Sequence, residues 1–431
     1  MMDNVIIDYE RMSFMRSGKP FFYLADTAWM AFSNLSVDDW KLYLEYRKMQ
    51  GFTAVQICVL PVLNDISTGK DSIMPFARDE RGNMDFGSPN QNYFDKAGAM
   101  VRIACEKGLV PALVPLWSNY IPTSWSSQRI GNNSEMGEDF LEKYAAFITG
   151  IFGKFNPIYI LGGDTGLETE TVIRYYSKLL DFIKKMNPQS LTTLHPNPSA
   201  EIPESLRKNK NLDFYMYQSG HGRKENNMSW AYAEKYSAFP EKRPVVNGEP
   251  CYEGSCFGFE SQRFRASDVR RAIWQSLLSG AKAGTAYGAH GIWMFQQEEM
   301  AFNNPSFSGF PYYWQDALRF KGAQDMGFIK QLFVKYDLFS TFPRQNLIED
   351  IYRKVANEIR CAATNDLSTV AIYIPWSTPL KIALDLREYT SVLYLLDTGA
   401  VMEPRFSFGN GGSELGMLPF NEDALLIAER N

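Results

Sequence analysis

Pro244-Val245-Val246-Asn247-Gly248-Glu249-Pro250 reads as a short strand that opens on apolar residues and stops on a carboxylate held in a turn. Ile158-Tyr159-Ile160-Leu161-Gly162-Gly163-Asp164 has the same form, an apolar run closing on a carboxylate. Runs of four to eight apolar residues bounded by turn residues fit strands buried on both faces. Six more surround these two: Phe21 to Asp26, Thr53 to Leu60, Leu109 to Trp117, Leu191 to Pro196, Phe214 to Tyr217, and about Gly284 to Phe295. Between them lie amphipathic stretches with helix signals. Ser36 is placed to cap a helix whose first turn holds Asp38 and Asp39. Eight strands, mostly with helical patterns between them, predict a (β/α)8 TIM barrel. A doubly wound open sheet fits less well, because no Gly-rich phosphate loop follows the first strand.

Beyond about residue 337 the texture changes to short β-rich runs, Glu358 to Ala363, Thr369 to Ile374 and Val392 to Leu396, separated by turns such as Asn365-Asp366 and Asp397-Thr398-Gly399. The expected division is a catalytic barrel over 1–336 and a small all-β sandwich over 337–431, closely packed because no low-complexity linker intervenes.

Composition narrows the function. A net charge of -5, with no sustained basic stripe, argues against a nucleic-acid or anionic-membrane partner. The five cysteines form no pairing or zinc pattern, and three histidines without a His-x-His pair disfavour a metal centre. No metal or cofactor is expected. With no apolar run long enough to cross a membrane and no signal-peptide pattern, the chain reads as cytoplasmic, or as periplasmic or secreted if a leader has been removed.

Reactive groups of such a barrel collect at the C-terminal strand ends. There the sequence lines up Asp26 and Trp29, Trp117, Asp164, His195, Tyr217 and His221, Asn247 and Glu249, and His290 and Trp293. Two carboxylates across a mouth are what glycoside hydrolysis requires, and a retaining pair stands about 5–5.5 Å apart. Asp164 and Glu249 are the candidate catalytic pair, and the other nine are candidate substrate-binding groups for a carbohydrate. Blander readings stand beside these. Asp164 could cap a helix starting near Glu168, Asp26 could cap its own turn, each His could be a satisfied polar group, and the tryptophans could fill core. A non-catalytic carbohydrate-binding barrel is the alternative function.

The segments Phe21 to Trp29, Gly51 to Gln56, Ile160 to Asp164, Asn247 to Glu253 and Tyr287 to Trp293 together resemble the apiosidase-like barrel family, glycoside hydrolase family 140 and its relatives. The likeness covers roughly residues 10 to 336, and the tail resembles the small collagen-binding-like β-sandwich often appended to these barrels. The resemblance implies a retaining glycosidase with Asp164 as acid/base and Glu249 as nucleophile, acting on a plant or bacterial polysaccharide or oligosaccharide. Related barrels of the larger clan carry Asn-Glu at the fourth strand end, where this chain has Gly163-Asp164.

Overall fold

The computed structural model describes residues 4–63, 72–131, 133–198, 200–221, 227–258, 261–349, 355, 357–409 and 411–431. The eight apolar runs form β1 (Tyr23–Thr27), β2 (Ala54–Cys58), β3 (Val110–Val114), β4 (Ile158–Ile160), β5 (Thr192–Thr193), β6 (Tyr215–Gln218), β7 (Val245–Glu249) and β8 (Gly284–Tyr287). They make one parallel sheet in the order β5-β4-β3-β2-β1-β8-β7-β6, so each strand lies beside its sequence neighbour and β1 beside β8. Across the remaining seam the Asp213 N–H donates to the Thr192 carbonyl at 3.0 Å and Thr193 Oγ1 to the Phe214 carbonyl at 2.8 Å. The sheet is a nearly closed TIM barrel, as the alternation of runs predicts.

A helix of the outer ring follows each strand: α1 (Val37–Met49), α2 (Gln91–Glu106), α3 (Leu141–Phe152), α4 (Glu170–Met186), α5 (Glu204–Arg207), α6 (Met228–Ser237), α7 (Ala266–Leu277) and α8 (Lys321–Lys335), with further short helices in the loops. Ser36 caps α1 as expected, its hydroxyl accepting from the Asp39 N–H at 3.1 Å. Two runs end earlier than their apolar character suggests. Pro115, which has no N–H to donate, interrupts the third ladder, and Leu116–Trp117 pair separately with Gly162–Gly163. The eighth strand stops at Tyr287, and His290 through Phe295 form turns above it. An N-terminal antiparallel meander (Val5–Asp8, Ser13–Arg16, Lys19–Phe21) was not anticipated. Its Phe14 meets Phe214, just before β6, edge-on at 5.1 Å, so the meander packs at the end of the barrel away from the strand C-termini.

The C-terminal region is a six-stranded antiparallel sheet facing a four-stranded one. Alternation along the larger sheet is informative. Ala371, Tyr373, Leu425 and Ile427 join the barrel's core, while Val370, Ile372, Leu426 and Ala428 join a second core between the sheets. A strand buried on both faces needs apolar residues at every position, hence runs such as Thr369–Ile374. Polar contacts cross the seam too. The Arg270 guanidinium of α7 reaches Asp325 at 2.7 Å and Asp423 at 2.6 Å, all buried. Among the described residues no helix is long and apolar enough to cross a membrane.

Candidate active site

Glu249 owes its direction to one glycine. In the pairing of β6 with β7, Tyr217 lies opposite Asn247 and Gln218 opposite Glu249, leaving Gly248 as the extra residue of a bulge. In a regular strand Asn247 and Glu249 would share a face; a bulge breaks that parity and re-aims the next side chain. Asn247 accordingly turns outward, donating to Ser219 Oγ at 3.0 Å and to Ser276 Oγ of α7 at 2.9 Å. Glu249 turns into the mouth. A Cβ at 248 would lie 2.3 Å from Met216 Sδ, so any other residue there would have to displace that side chain.

Asp164 is set by a different device. A Cβ on Gly163 would lie 2.0 Å from the Trp117 ring, so that glycine lets the indole lie flat against the turn. Asp164 then adopts a left-handed conformation, φ +49°, which Asp tolerates better than most residues. It caps no helix, because Thr169 caps α4, accepting from the Val172 N–H. Instead Asp164 Oδ1 accepts from Gln218 Nε2 at 2.8 Å, and its carbonyl accepts from the Trp125 indole at 2.8 Å.

Both carboxylates line one cavity of about 520 Å³ at the C-terminal strand ends. Trp29, Trp117, His221, His290 and Trp293 line it as well, joined by Trp125, Arg129, Gln218, Tyr252 and Phe302. The remaining sequence candidates do not. Asp26 is fully buried behind the wall, bound by Tyr43 Oη at 2.6 Å and Arg47 Nε at 2.5 Å, both from α1. Tyr217 points outward to the Ser229 carbonyl, and Asn247 outward as described. His195 is wholly buried, between the tryptophans and the carboxylates rather than on the cavity surface.

The electrostatics of the two ends of the cavity differ. Burial by itself pushes the Glu249 carboxyl up, but the neighbouring His195 and His221 imidazoles and the Tyr252 hydroxyl outweigh it, so it is held below the usual carboxylate range. His195 Nε2 lies 3.4 Å from Glu249 Oε2, and His221 Nδ1 3.7 Å from Oε1. Burial and the Glu249 charge keep the Tyr252 phenol well above its ordinary value. It stays protonated, donates toward Glu249 and accepts from Trp29 Nε1 at 3.0 Å. Burial pushes His290 down to about 4, so it is neutral at neutral pH. Its Nε2–H donates to the Gly309 carbonyl at 2.9 Å, while Nδ1 accepts from the Trp293 indole at 3.4 Å. His290 therefore fixes the orientation of Trp293 in the wall.

Several lining residues stand outside the candidate list drawn from the sequence. Tyr252 sits three positions after Glu249 within the same motif, which was a usable signal. Gln218 was visible as a strand-end polar group. Trp125 and Arg129, on the short helix Trp125–Ile130 after β3, carried no local signal. No group of three or more metal-ligating side chains gathers among the described residues.

A family model for the apiosidase-like catalytic domain matches residues 9–340. No curated protein matches the sequence. Among solved structures, a protein described as a glycoside hydrolase superposes with a TM-score of 0.81 at 22% identity, covering 100% of this chain and 97% of its own. A glycoside hydrolase family 5 protein from Bacteroides vulgatus gives 0.80 at 21% identity, covering 99% and 93%. At such identities these likenesses speak to the fold, barrel and sandwich together.

Proposed function

Since this chain belongs to the apiosidase-like family of glycoside hydrolases, we propose that it cleaves its glycosidic bond by double displacement, with Glu249 as nucleophile and Asp164 as acid/base. The observation that carries the reading is the contrast between two carboxylates lining one cavity. Glu249 is buried yet held ionised by its neighbours, as attack on an anomeric carbon requires. Asp164 is half-buried on a turn, with Gln218 fixing one oxygen. Asp164 in its acid form protonates the departing glycosidic oxygen. After water enters, the same carboxylate accepts a proton as the glycosyl–Glu249 ester is hydrolysed.

Trp29, Trp117, Trp125 and Trp293 supply flat apolar faces of the kind that stack on sugar rings. The substrate class is a plant or bacterial polysaccharide or an oligosaccharide derived from one. The test is a screen of aryl glycosides and pectic oligosaccharides with the wild type, Glu249→Ala and Asp164→Ala. With azide, Glu249→Ala is expected to release a glycosyl azide of inverted configuration and Asp164→Ala one of retained configuration. Full activity of Glu249→Ala on a cleaved substrate would overturn the assignment.

A further inference from the structure

His195 is entirely buried and does not line the cavity, yet both of its ring nitrogens face the two carboxylate-bearing segments. The Asp164 N–H donates to His195 Nδ1 at 3.3 Å. The His195 backbone binds the same turn on either side, its N–H to the Gly162 carbonyl and its carbonyl to the Thr165 N–H, each at 3.3 Å. On the other edge of the ring, Nε2 lies 3.4 Å from Glu249 Oε2. The pair stands within ion-pair distance without meeting hydrogen-bond geometry, and neither of those two buried atoms has a hydrogen-bond partner among the described residues. Trp29 packs edge-on against the ring with centroids 5.8 Å apart, and Trp117 lies tilted at 6.3 Å. These contacts leave the ring little freedom to flip.

We propose that His195 is a positioning residue, locked as the neutral Nε2–H tautomer, that ties the Asp164 turn to Glu249 and directs its single ring proton at Oε2. A ring nitrogen that accepts a hydrogen bond carries no proton, so in the neutral imidazole the proton is on the other nitrogen. The Asp164 N–H points at His195 Nδ1, so the backbone beside one carboxylate sets the tautomer that serves the other. This inference rests on the reading of Glu249 as nucleophile for its catalytic meaning, but not for its geometry. The groups facing Glu249 are His195 from the β5 end, His221 from beyond β6, Tyr252 from its own loop and Cys58 on β2, with Asp164 lining the same cavity. Cys58 is kept as a neutral thiol by burial and by the Glu249 charge. His221 touches the opposite oxygen, so it does not replace the His195 contact.

Only three histidines need assigning, which makes the tautomer directly readable by two-bond nitrogen–proton NMR on wild-type protein labelled at histidine. Expected is an Nε2–H neutral ring for the resonance lost in His195→Gln. An Nδ1–H ring or an imidazolium at neutral pH would overturn the proposal, and this arm needs no variant to remain folded beyond the one used for assignment. The second arm follows the Glu249 carboxyl by carbon NMR, assigned with Glu249→Gln. In His195→Leu its midpoint should rise by about one pH unit, a tenfold gain in proton affinity. In His195→Gln, which keeps a donor, the rise should be smaller. The acid limb of kcat/KM should move in parallel. An unmoved midpoint in a folded His195→Leu protein would sink the idea even if Glu249→Gln were inactive. Conversely, active Glu249→Gln would end the nucleophile reading while leaving a shifted midpoint intact.

Discussion

Asp26, one residue before the end of β1, and Glu249, at the end of β7, are buried carboxylates at the same end of the same barrel, and their surroundings differ in kind. Asp26 shares its face of β1 with Leu24. Tyr23, on the alternate face, reaches the barrel interior, where its hydroxyl meets Gln56 at 3.3 Å. Asp26 therefore points out to α1, where Arg47 supplies a full cation and Tyr43 a hydroxyl. Glu249 has been swung inward by the Gly248 bulge and meets two imidazoles and a phenol, with no Arg or Lys in contact among the described residues. A strong cation closes a structural ion pair; weaker donors hold a charge while leaving it reactive. The difference teaches that strand-end position nominates a carboxylate, whereas the face it takes assigns its work.

The largest expected effect comes from removing the reactive member. Glu249→Gln should lower kcat by about 10⁴-fold or more, while the thermal midpoint at neutral pH falls only modestly as the ionised form's contribution to stability is lost; turnover assays and calorimetry on one sample read both. Asp164→Asn should cost about 10²–10⁴-fold on oligosaccharides, and far less on aryl glycosides whose leaving groups need no proton, so the ratio of the two losses is the measurement. Asp26→Asn should reverse the pattern. It strands the buried Arg47, so unfolding free energy should drop by about 3–5 kcal/mol, with kcat of the folded fraction nearly unchanged, as chemical denaturation and active-fraction kinetics would reveal.

A pH titration sharpens the contrast further. The folded Glu249 value lies below the unfolded one, so its ionised form contributes stability above about pH 4.3 that is lost as the pH falls through the folded value. The acid limb of kcat/KM should accordingly lie below about 4.3, and Glu249→Gln should flatten the corresponding part of the stability profile. The smallest effect concerns Arg129, the only Lys or Arg lining the cavity among the described residues. Unlike Arg47 it makes no carboxylate contact among the described residues. Arg129→Met should shift stability by no more than about 0.5 kcal/mol. If the glycan carries a carboxylate, its KM should rise several-fold, and a neutral analogue of the same glycan should not respond.

The barrel could be read in advance because its signals are local. Each βα unit announces itself through an apolar run, a cap such as Ser36 and an amphipathic stretch. The seventh run also carried Glu249 in full view. Asp26, Tyr217 and Asn247 looked equivalent to it because a strand-end list ignores parity. For Asp26 the alternation with Leu24 was a legible warning. For Asn247 and Glu249 parity alone misleads, because it takes the Gly248 bulge to separate them, and a bulge exists only against a partner strand. The N-terminal meander went unread because its strands are three or four residues long and half-exposed.

By itself the amino-acid order determined the alternating elements, the strand-end inventory of carboxylates and aromatics, and the all-β tail, since hydrophobic period and turn chemistry act over a few neighbouring residues. The tertiary structure decided which of those groups meet. His195 became a buried link rather than a cavity-lining group, Gln218 and Tyr252 became partners of the two carboxylates, and Arg129 entered the cavity from a helix with no motif. Those pairings join residues far apart in the chain across a closed sheet, and only the packing of strands and loops against one another sets the distances between them.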